Sequence, residues 1–328
     1  MRWLSRKKTE SNRKSTRIFF ATDIHGSEPC FLKFINGATF YKADVIVLGG
    51  DITGKQIVTI ENHQGVWHAH LFGQIWTAST PEELARLESH VRSNGYYPVQ
   101  VTQEERVELE ADPIKVELLF TKLINETVTR WLRMAEERLR DLPVKCFISP
   151  GNDDQFDLDK ILQDSDVVIY PEGQIIDLDG THTMASCGFA NMTPWHCPRD
   201  VEEDELSARL ETMLANLEDP SRCIFNFHAP PYDSTLDIAQ ELDANLKPVM
   251  VGGQPHSIPV GSRAVREMIE KYQPLVGLHG HIHECRGVVE LGKTICINPG
   301  SEYSEGILRG VLVNILDGEL LSYQFVSV

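Results

Sequence analysis

"FFATDIHGS", residues 19–27, is an apolar run that stops at an aspartate and a histidine two positions apart. Either a strand is ending so as to offer a carboxylate and an imidazole to a metal, or the chain is simply turning. Runs of the same kind recur: "DVIVLGG" from Asp44, "VKCFISPGN" from Val144, "RCIFNFHAPP" from Arg222 and "PLVGLHGH" from Pro274. Each is nearly all apolar, as a strand covered on both faces must be. Most end in Gly, Pro, Asn, Asp or His. In open α/β sheets the loops beyond the carboxyl ends of strands converge on one crevice, so these polar residues stand where chemistry is expected. The fold class is α/β.

The strand-end groups are Asp23 and His25, Asp51 in "LGGD", Asn152 in "SPGND", His228 in "FNFHAPP", and His281 and His283 in "GLHGHIHE". Hard and borderline cations take carboxylate, carbonyl and imidazole ligands. Two such ions about 3.5–4 Å apart need a shared ligand and several others each, and seven residues fill that scheme with Asp51 shared. Each piece alone has a bland reading. Among twelve histidines an Asp-x-His arises by chance, and Gly-Asp or Gly-Asn after a strand is usually a turn. The weight lies in the combination, with five strand ends all delivering metal-compatible side chains.

The ordered set Asp23-Ile24-His25, Gly50-Asp51, Gly151-Asn152, His228 and Gly280-His281-Ile282-His283 resembles the calcineurin-like metallophosphoesterase superfamily. "NPGS" at Asn298–Ser301 resembles its small prokaryotic phosphodiesterase branch. The resemblance covers residues 17 to about 325 apart from an insertion. It implies a four-layer α/β/β/α sandwich of two mixed β-sheets with a dinuclear site between them. It also implies two divalent or trivalent metal ions (Mn, Fe, Zn or Ni). Asp23, His25, Asp51 and His283 would hold the first, and Asp51, Asn152, His228 and His281 the second. A hydroxide held between them would attack phosphorus, with Asn152 also placed to donate to a phosphate oxygen. The family commonly reads Gly-Asn-His-Asp/Glu, its histidine helping the leaving group; here the text is Gly151-Asn152-Asp153-Asp154. An anionic Asp153 beside a phosphate repels it unless protonated or paired. Asp153 is therefore either an acid with a raised pKa or a structural residue. Protein Ser/Thr phosphatases of this superfamily carry an Arg soon after Gly-Asp, whereas "GGDITGKQ" has none.

Length and composition set further bounds. The chain has 328 residues, 31 Lys plus Arg against 48 Asp plus Glu, and a net charge of −17, which disfavours extended nucleic acid as a partner. Seven scattered cysteines without Cys-x-x-Cys fit a reducing cytoplasm. No run reaches the roughly 20 apolar residues a membrane span needs. The basic opening "MRWLSRKKTESNRKSTR" lacks a following apolar segment, so residues 1–16 read as a disordered arm rather than a signal, with a phosphate- or partner-contacting tail as the alternative. Residues 17–328 read as one metallophosphoesterase domain with a helical insertion at about 55–142. Within it, Val116, Leu119, Phe120, Leu123, Ile124, Val128, Trp131, Leu132 and Leu139 fall at helical spacings. Asp112-Pro113 suits a helix start, and Pro143 marks the stop. The apolar insertion could support a homodimer. His63, His68 and His70 in the insertion are either substrate contacts or solvated loop residues. Toward the C-terminus, Asp317-Gly318 between apolar runs signals a hairpin.

The function expected is a cytoplasmic, metal-dependent phosphoesterase acting on a small phosphorylated substrate, diesters slightly ahead of monoesters, with no membrane partner. The alternatives are a binding scaffold that has lost turnover, for which Asp153 speaks, and a nuclease.

Overall fold

The computed structural model describes residues 15–328. The expected arm therefore lies outside the described residues except for Ser15 and Thr16, and Thr16 opens the first strand. Two six-stranded sheets dominate. The first runs, edge to edge, Glu319–Ser327, Arg309–Leu316, Thr16–Ala21, Val45–Leu48, Lys145–Ile148 and Val168–Ile169. The second runs Gly287–Leu291, Thr294–Asn298, Val276–Leu278, Cys223–Phe227, Thr183–Cys187 and Ile175–Asp177. Both are mixed. In the first, Thr16–Ala21, Val45–Leu48, Lys145–Ile148 and Val168–Ile169 are parallel, and the chain closes with the antiparallel hairpin turned at Asp317-Gly318.

Strand faces alternate between two cores, which explains the uninterrupted apolar text. Ile18, Phe20, Val45, Val47 and Phe147 share one buried cluster with Met184, Ile224, Val276, Leu278 and Ile297 of the other sheet. The intervening Phe19, Ala21, Ile46, Leu48 and Ile148 pack instead with helices α1 (Glu28–Phe40), α4 (Pro113–Leu139) and α5 (Asp157–Gln163). Phe225 and Phe227 turn toward α6 (Glu203–Leu214) and α7 (Arg263–Tyr272). Helix α4 begins as its sequence foretells, with the Asp112 side chain accepting from the backbone N–H groups of Ile114 and Lys115 ahead of Pro113. Its Trp131 stacks on Phe31 of α1, ring centroids 4.5 Å apart.

The insertion departs from the all-helical expectation. Besides α2 (Pro81–Ser93), α3 (Gln103–Ala111) and α4, it holds a four-stranded sheet ordered Gln74–Ala78, Val66–Leu71, Ile57–His63 and Tyr97–Val101. Val58, Ile60, Ala69, Leu71 and Ala78 form a separate core with Leu84, Leu87 and Val91 of α2. Val58 and Ile60 face α2, while the opposite face, with Thr59 and Glu61 beside the buried Tyr97 and Val101, meets α3 and α4, and the polar residues set among these break up the apolar runs that mark the central strands. Its two hairpins turn at Gln64-Gly65 and Phe72-Gly73, all four residues at positive φ. No helix among the described residues is long and apolar enough to cross a membrane, and their seven cysteines are free.

Candidate metal centre

Five strand ends build the site. Thr16–Ala21, Val45–Leu48 and Lys145–Ile148 of the first sheet lead to Asp23 and His25, to Asp51, and to Asn152 and Asp153. Cys223–Phe227 and Val276–Leu278 of the second lead to His228 and to His281 and His283. Backbone hydrogen bonds lace the loops together: Asp23 donates to Gly50 O and His25 to Asp51 O, both at 2.9 Å, and Gly280 donates to His228 O at 3.0 Å.

The expected ligand residues converge. Among the described residues three groups have ligand atoms within 4.8 Å of one another: Asp23, His25 and His283; Asp51, His228 and His281; and His25, Asp51 and Asp153. The first group holds three of the four residues expected for one cation, without Asp51, and the second three of the four expected for the other, without Asn152. Asp51 faces both. Its Oδ2 lies 3.5 Å from His25 Nε2 and its Oδ1 3.4 Å from His228 Nε2. His25 Nε2 and His283 Nε2 are 3.0 Å apart. Asn152 is fixed beside them between Gly151, which packs on Asp51, and Asp153, whose N–H donates to Asp51 Oδ1 at 3.0 Å.

The packing leaves no slack. A Cβ on Gly151 would collide with the Asp51 backbone and carboxylate, and one on Gly280 with Asp23 Oδ2 and Thr22 Oγ1, so both glycines are required by close approach. Asp23, Asp51, His25 and His281 all have positive φ, between 38° and 67°. Non-glycine residues held there are strained, and such strain gathers at functional sites.

Electrostatics point the same way. Burial holds His25 down at about 3 and His281 at about 4. Burial opposes the charge of His228 too, but the Asp51 carboxylate overrides it and lifts that imidazole to about 9. Burial likewise works against ionised Asp23, yet His283 and His228 bring it to about 2. His25 Nδ1, Asn152 Oδ1 and His228 Nε2 are buried with no hydrogen-bond partner. Buried polar atoms almost always have one. Orphaned nitrogens and an amide oxygen around two buried carboxylates are a donor set that fits a hard or borderline cation.

Several residues outside the expected ligand set support the site. Asp154, fully buried, accepts from the N–H groups of Ile52, Thr53 and Gly151 and from the Thr53 hydroxyl, locking the Asp51 loop to the Asn152 loop. Lys55 Nζ stands 2.9 Å from Asp153 Oδ2. Tyr303 packs on His25, ring centroids 4.8 Å apart. Asn298 of "NPGS" donates to Gly280 O and Ile282 O, and Ser301 Oγ donates to Asp23 O at 2.6 Å, so that motif braces the Gly-His-x-His loop from behind. The doubled aspartate at 153–154 was a visible signal; Lys55 had only its place after Gly-Asp.

The remaining histidines fall elsewhere. His63, His68 and His70 belong to none of the three groups; His63 pairs with Glu61 and lies 5.3 Å, ring to ring, from His68. His279 is buried under His228, its Nδ1 at 2.8 Å from Phe227 O. His182 pairs with Asp179, and His256 with Glu241.

No protein-family profile matches the chain. An uncharacterized protein of Methanocaldococcus jannaschii is 32% identical over 114 residues, 34% of this chain and 45% of that protein, so the match spans less than half of its length. One solved crystal structure superposes with a TM-score of 0.56 at 17% identity, covering 95% of this chain and 99% of the other. A Thermus thermophilus protein superposes with a TM-score of 0.50 at 14% identity, covering 92% and 99%. At such identities the likeness is one of fold.

Proposed function

We propose that this chain, which has the ordered motifs and the fold of the calcineurin-like metallophosphoesterase superfamily, is a metal-dependent phosphoesterase acting on a small phosphorylated substrate, with phosphodiesters slightly favoured. One observation carries the reading: the two carboxylate oxygens of Asp51 face two different histidines, each within a separate acid–histidine group. A shared carboxylate between two such groups suits a pair of cations. The core clusters, one between the sheets and one on the far side of each, support a four-layer arrangement of a single domain carrying the insertion.

Asp23, His25, Asp51 and His283 would hold one cation, and Asp51, Asn152, His228 and His281 the other. When bound, such a pair supplies Lewis acidity toward a phosphoryl oxygen and makes a water acidic enough to serve as a nucleophile. The chain's own residues do the rest. Asp51 and Asp23, both buried, would compensate positive charge, while half-buried His281 and His283 leave the centre reachable from solvent. His228 would have to serve as a ligand in its neutral form, against the Asp51 carboxylate that favours its protonated form in the absence of a cation. Lys55 pairs with Asp153, and this removes the repulsion that an unpaired carboxylate there would exert on an anionic substrate.

The test is metal content together with turnover of bis-p-nitrophenyl phosphate and p-nitrophenyl phosphate, with Mn, Fe, Ni, Zn or Mg supplied. His228→Ala and Asp51→Asn should each lose metal and activity together. A wild-type protein without tightly bound metal and without turnover under all these conditions would leave the scaffold reading in place. Unchanged activity in either variant would overturn the ligand assignment.

A further inference from the structure

The two ends of the Asn152 amide meet different surroundings. Nδ2 donates to Asp200 Oδ1 at 2.8 Å, whereas Oδ1 is buried and has no partner. Only the oxygen end of an amide can ligate a cation; the NH₂ end is a donor. Asp200 decides which end points where, because an ionised carboxylate can only accept. Its second oxygen is occupied as well, taking the N–H groups of Thr193 at 3.1 Å and Cys197 at 2.8 Å and the Thr193 hydroxyl. Cys197 Sγ in turn lies 3.6 Å from Asp153 Oδ1. Next to Asp200, the backbone of Arg199 donates to Asn152 O at 3.0 Å and its buried guanidinium donates to the carbonyl of Asp154. The 193–200 segment thus grips the Asn152 loop through both backbone and side chain.

We infer that Asp200 is a positioning residue for the metal centre: it holds the Asn152 carbonyl oxygen toward the acid–histidine groups and ties that orientation to the 193–197 loop. The inference rests on the metal-centre reading above. Partners that orient a ligand in this way are worth about 10–100-fold in metal affinity. The polarity of the hydrogen bond gives a specific signature. In Asp200→Asn the Thr193 and Cys197 N–H groups capture the new amide's oxygen, so its NH₂ meets that of Asn152. Two NH₂ groups cannot face each other, and Asn152 must rotate its oxygen away from the centre.

The experiment is calorimetric titration of metal-free protein with Mn²⁺, with circular dichroism to verify folding. Asp200→Asn should stay folded and bind the second Mn²⁺ equivalent about 10–100-fold more weakly than wild type. The exchange Asn152→Asp with Asp200→Asn reverses the donor and acceptor and should restore the second equivalent. Thr193→Val leaves the Asn152–Asp200 bond in place and should bind both equivalents. Two tight equivalents in Asp200→Asn, or no recovery in the exchange variant, would reduce Asp200 to a loop anchor and overturn the inference while leaving the metal centre standing. Should Asp200→Asn prove too unstable to titrate, the exchange variant decides by the same criterion. A wild-type protein that binds no Mn²⁺ sinks both readings.

Discussion

Lys55 Nζ lies 2.9 Å from Asp153 Oδ2, with the Asp153 backbone bound to Asp51 Oδ1 at 3.0 Å. The pair answers the difficulty that Asp153 poses in the sequence. A carboxylate at a position where the superfamily that the motifs resemble commonly has a histidine would repel an anionic substrate. Burial and the Asp51 charge raise the pKa of Asp153, but the adjoining ammonium keeps a counter-charge within hydrogen-bond reach. Lys55 comes from the loop that follows Asp51, so one short segment supplies both the shared carboxylate and this cation.

Removing the cation should therefore hurt. Lys55→Ala leaves Asp153 as a second negative charge beside Asp51, and a charged hydrogen bond of this kind is worth about 1.5–3 kcal/mol. A fall of roughly 10–100-fold in kcat/KM is expected, and adding Asp153→Asn to the same variant should recover part of it. Steady-state kinetics on bis-p-nitrophenyl phosphate decide the matter. Equal kcat/KM in Lys55→Ala and wild type would mean that the pair lies outside the substrate's field.

The central strands and the residues that meet at their ends were legible because two physical signals coincide. Strands covered on both faces read as continuous apolar text, and Asp23, His25, Asp51, Asn152, His228, His281 and His283 follow directly at their ends. The insertion's sheet was not legible. Its outer positions carry Glu61, His63, His68 and His70, and its tight turns at Gln64-Gly65 and Phe72-Gly73 lack the Asn or Asp that usually marks them. The long helix α4 beside it was, since Asp112 and Pro113 spell a start and Ile124, Val128, Trp131, Ala135 and Leu139 bury one face. Asp154 was visible as half of a doubled aspartate but its role was not, and Asp200 could not be found from the sequence at all, because each acts through partners that only folding brings near.

Asp154 should prove more important to stability than to chemistry. All four of its hydrogen-bond partners are donors in a buried setting. Asp154→Ala strands them and should cost about 3 kcal/mol or more. Asp154→Asn keeps the volume but turns an NH₂ toward N–H groups, so it should not rescue. Urea denaturation of the metal-free proteins gives both values. A loss below about 1 kcal/mol in Asp154→Ala would show that the two loops hold their places without it.

Gly280→Ala separates packing at the centre from packing of the core. The added methyl meets Asp23 Oδ2 and Thr22 Oγ1, and Asp23 also accepts from the His281 N–H at 3.0 Å. Asp23 must give way. Because Gly280 lies in a loop beyond the strand end, the sheets should survive, with a near-normal circular dichroism spectrum. Metal affinity should drop on the order of tenfold or more as one carboxylate leaves its place. Full metal content in this variant would place Asp23 outside the ligand set.

Glu172, outside the expected ligand residues, offers a pH test. Burial raises its pKa from 4.5 to about 7, although the Gly188 N–H donates to it at 2.7 Å. Its folded pKa lies above the unfolded one, so the folded state binds the extra proton between those values. Stability is thus highest below the unfolded pKa and declines as pH climbs toward the folded pKa. Glu172→Gln keeps an acceptor for Gly188 and removes the titration. Relative to wild type it should gain about 1–2 kcal/mol between pH 5 and pH 8, seen as melting points that converge in acid and separate in base. If the two proteins differed by the same amount at both pH values, Glu172 would be ionised at its ordinary pKa, and the burial of its carboxyl would not govern its protonation.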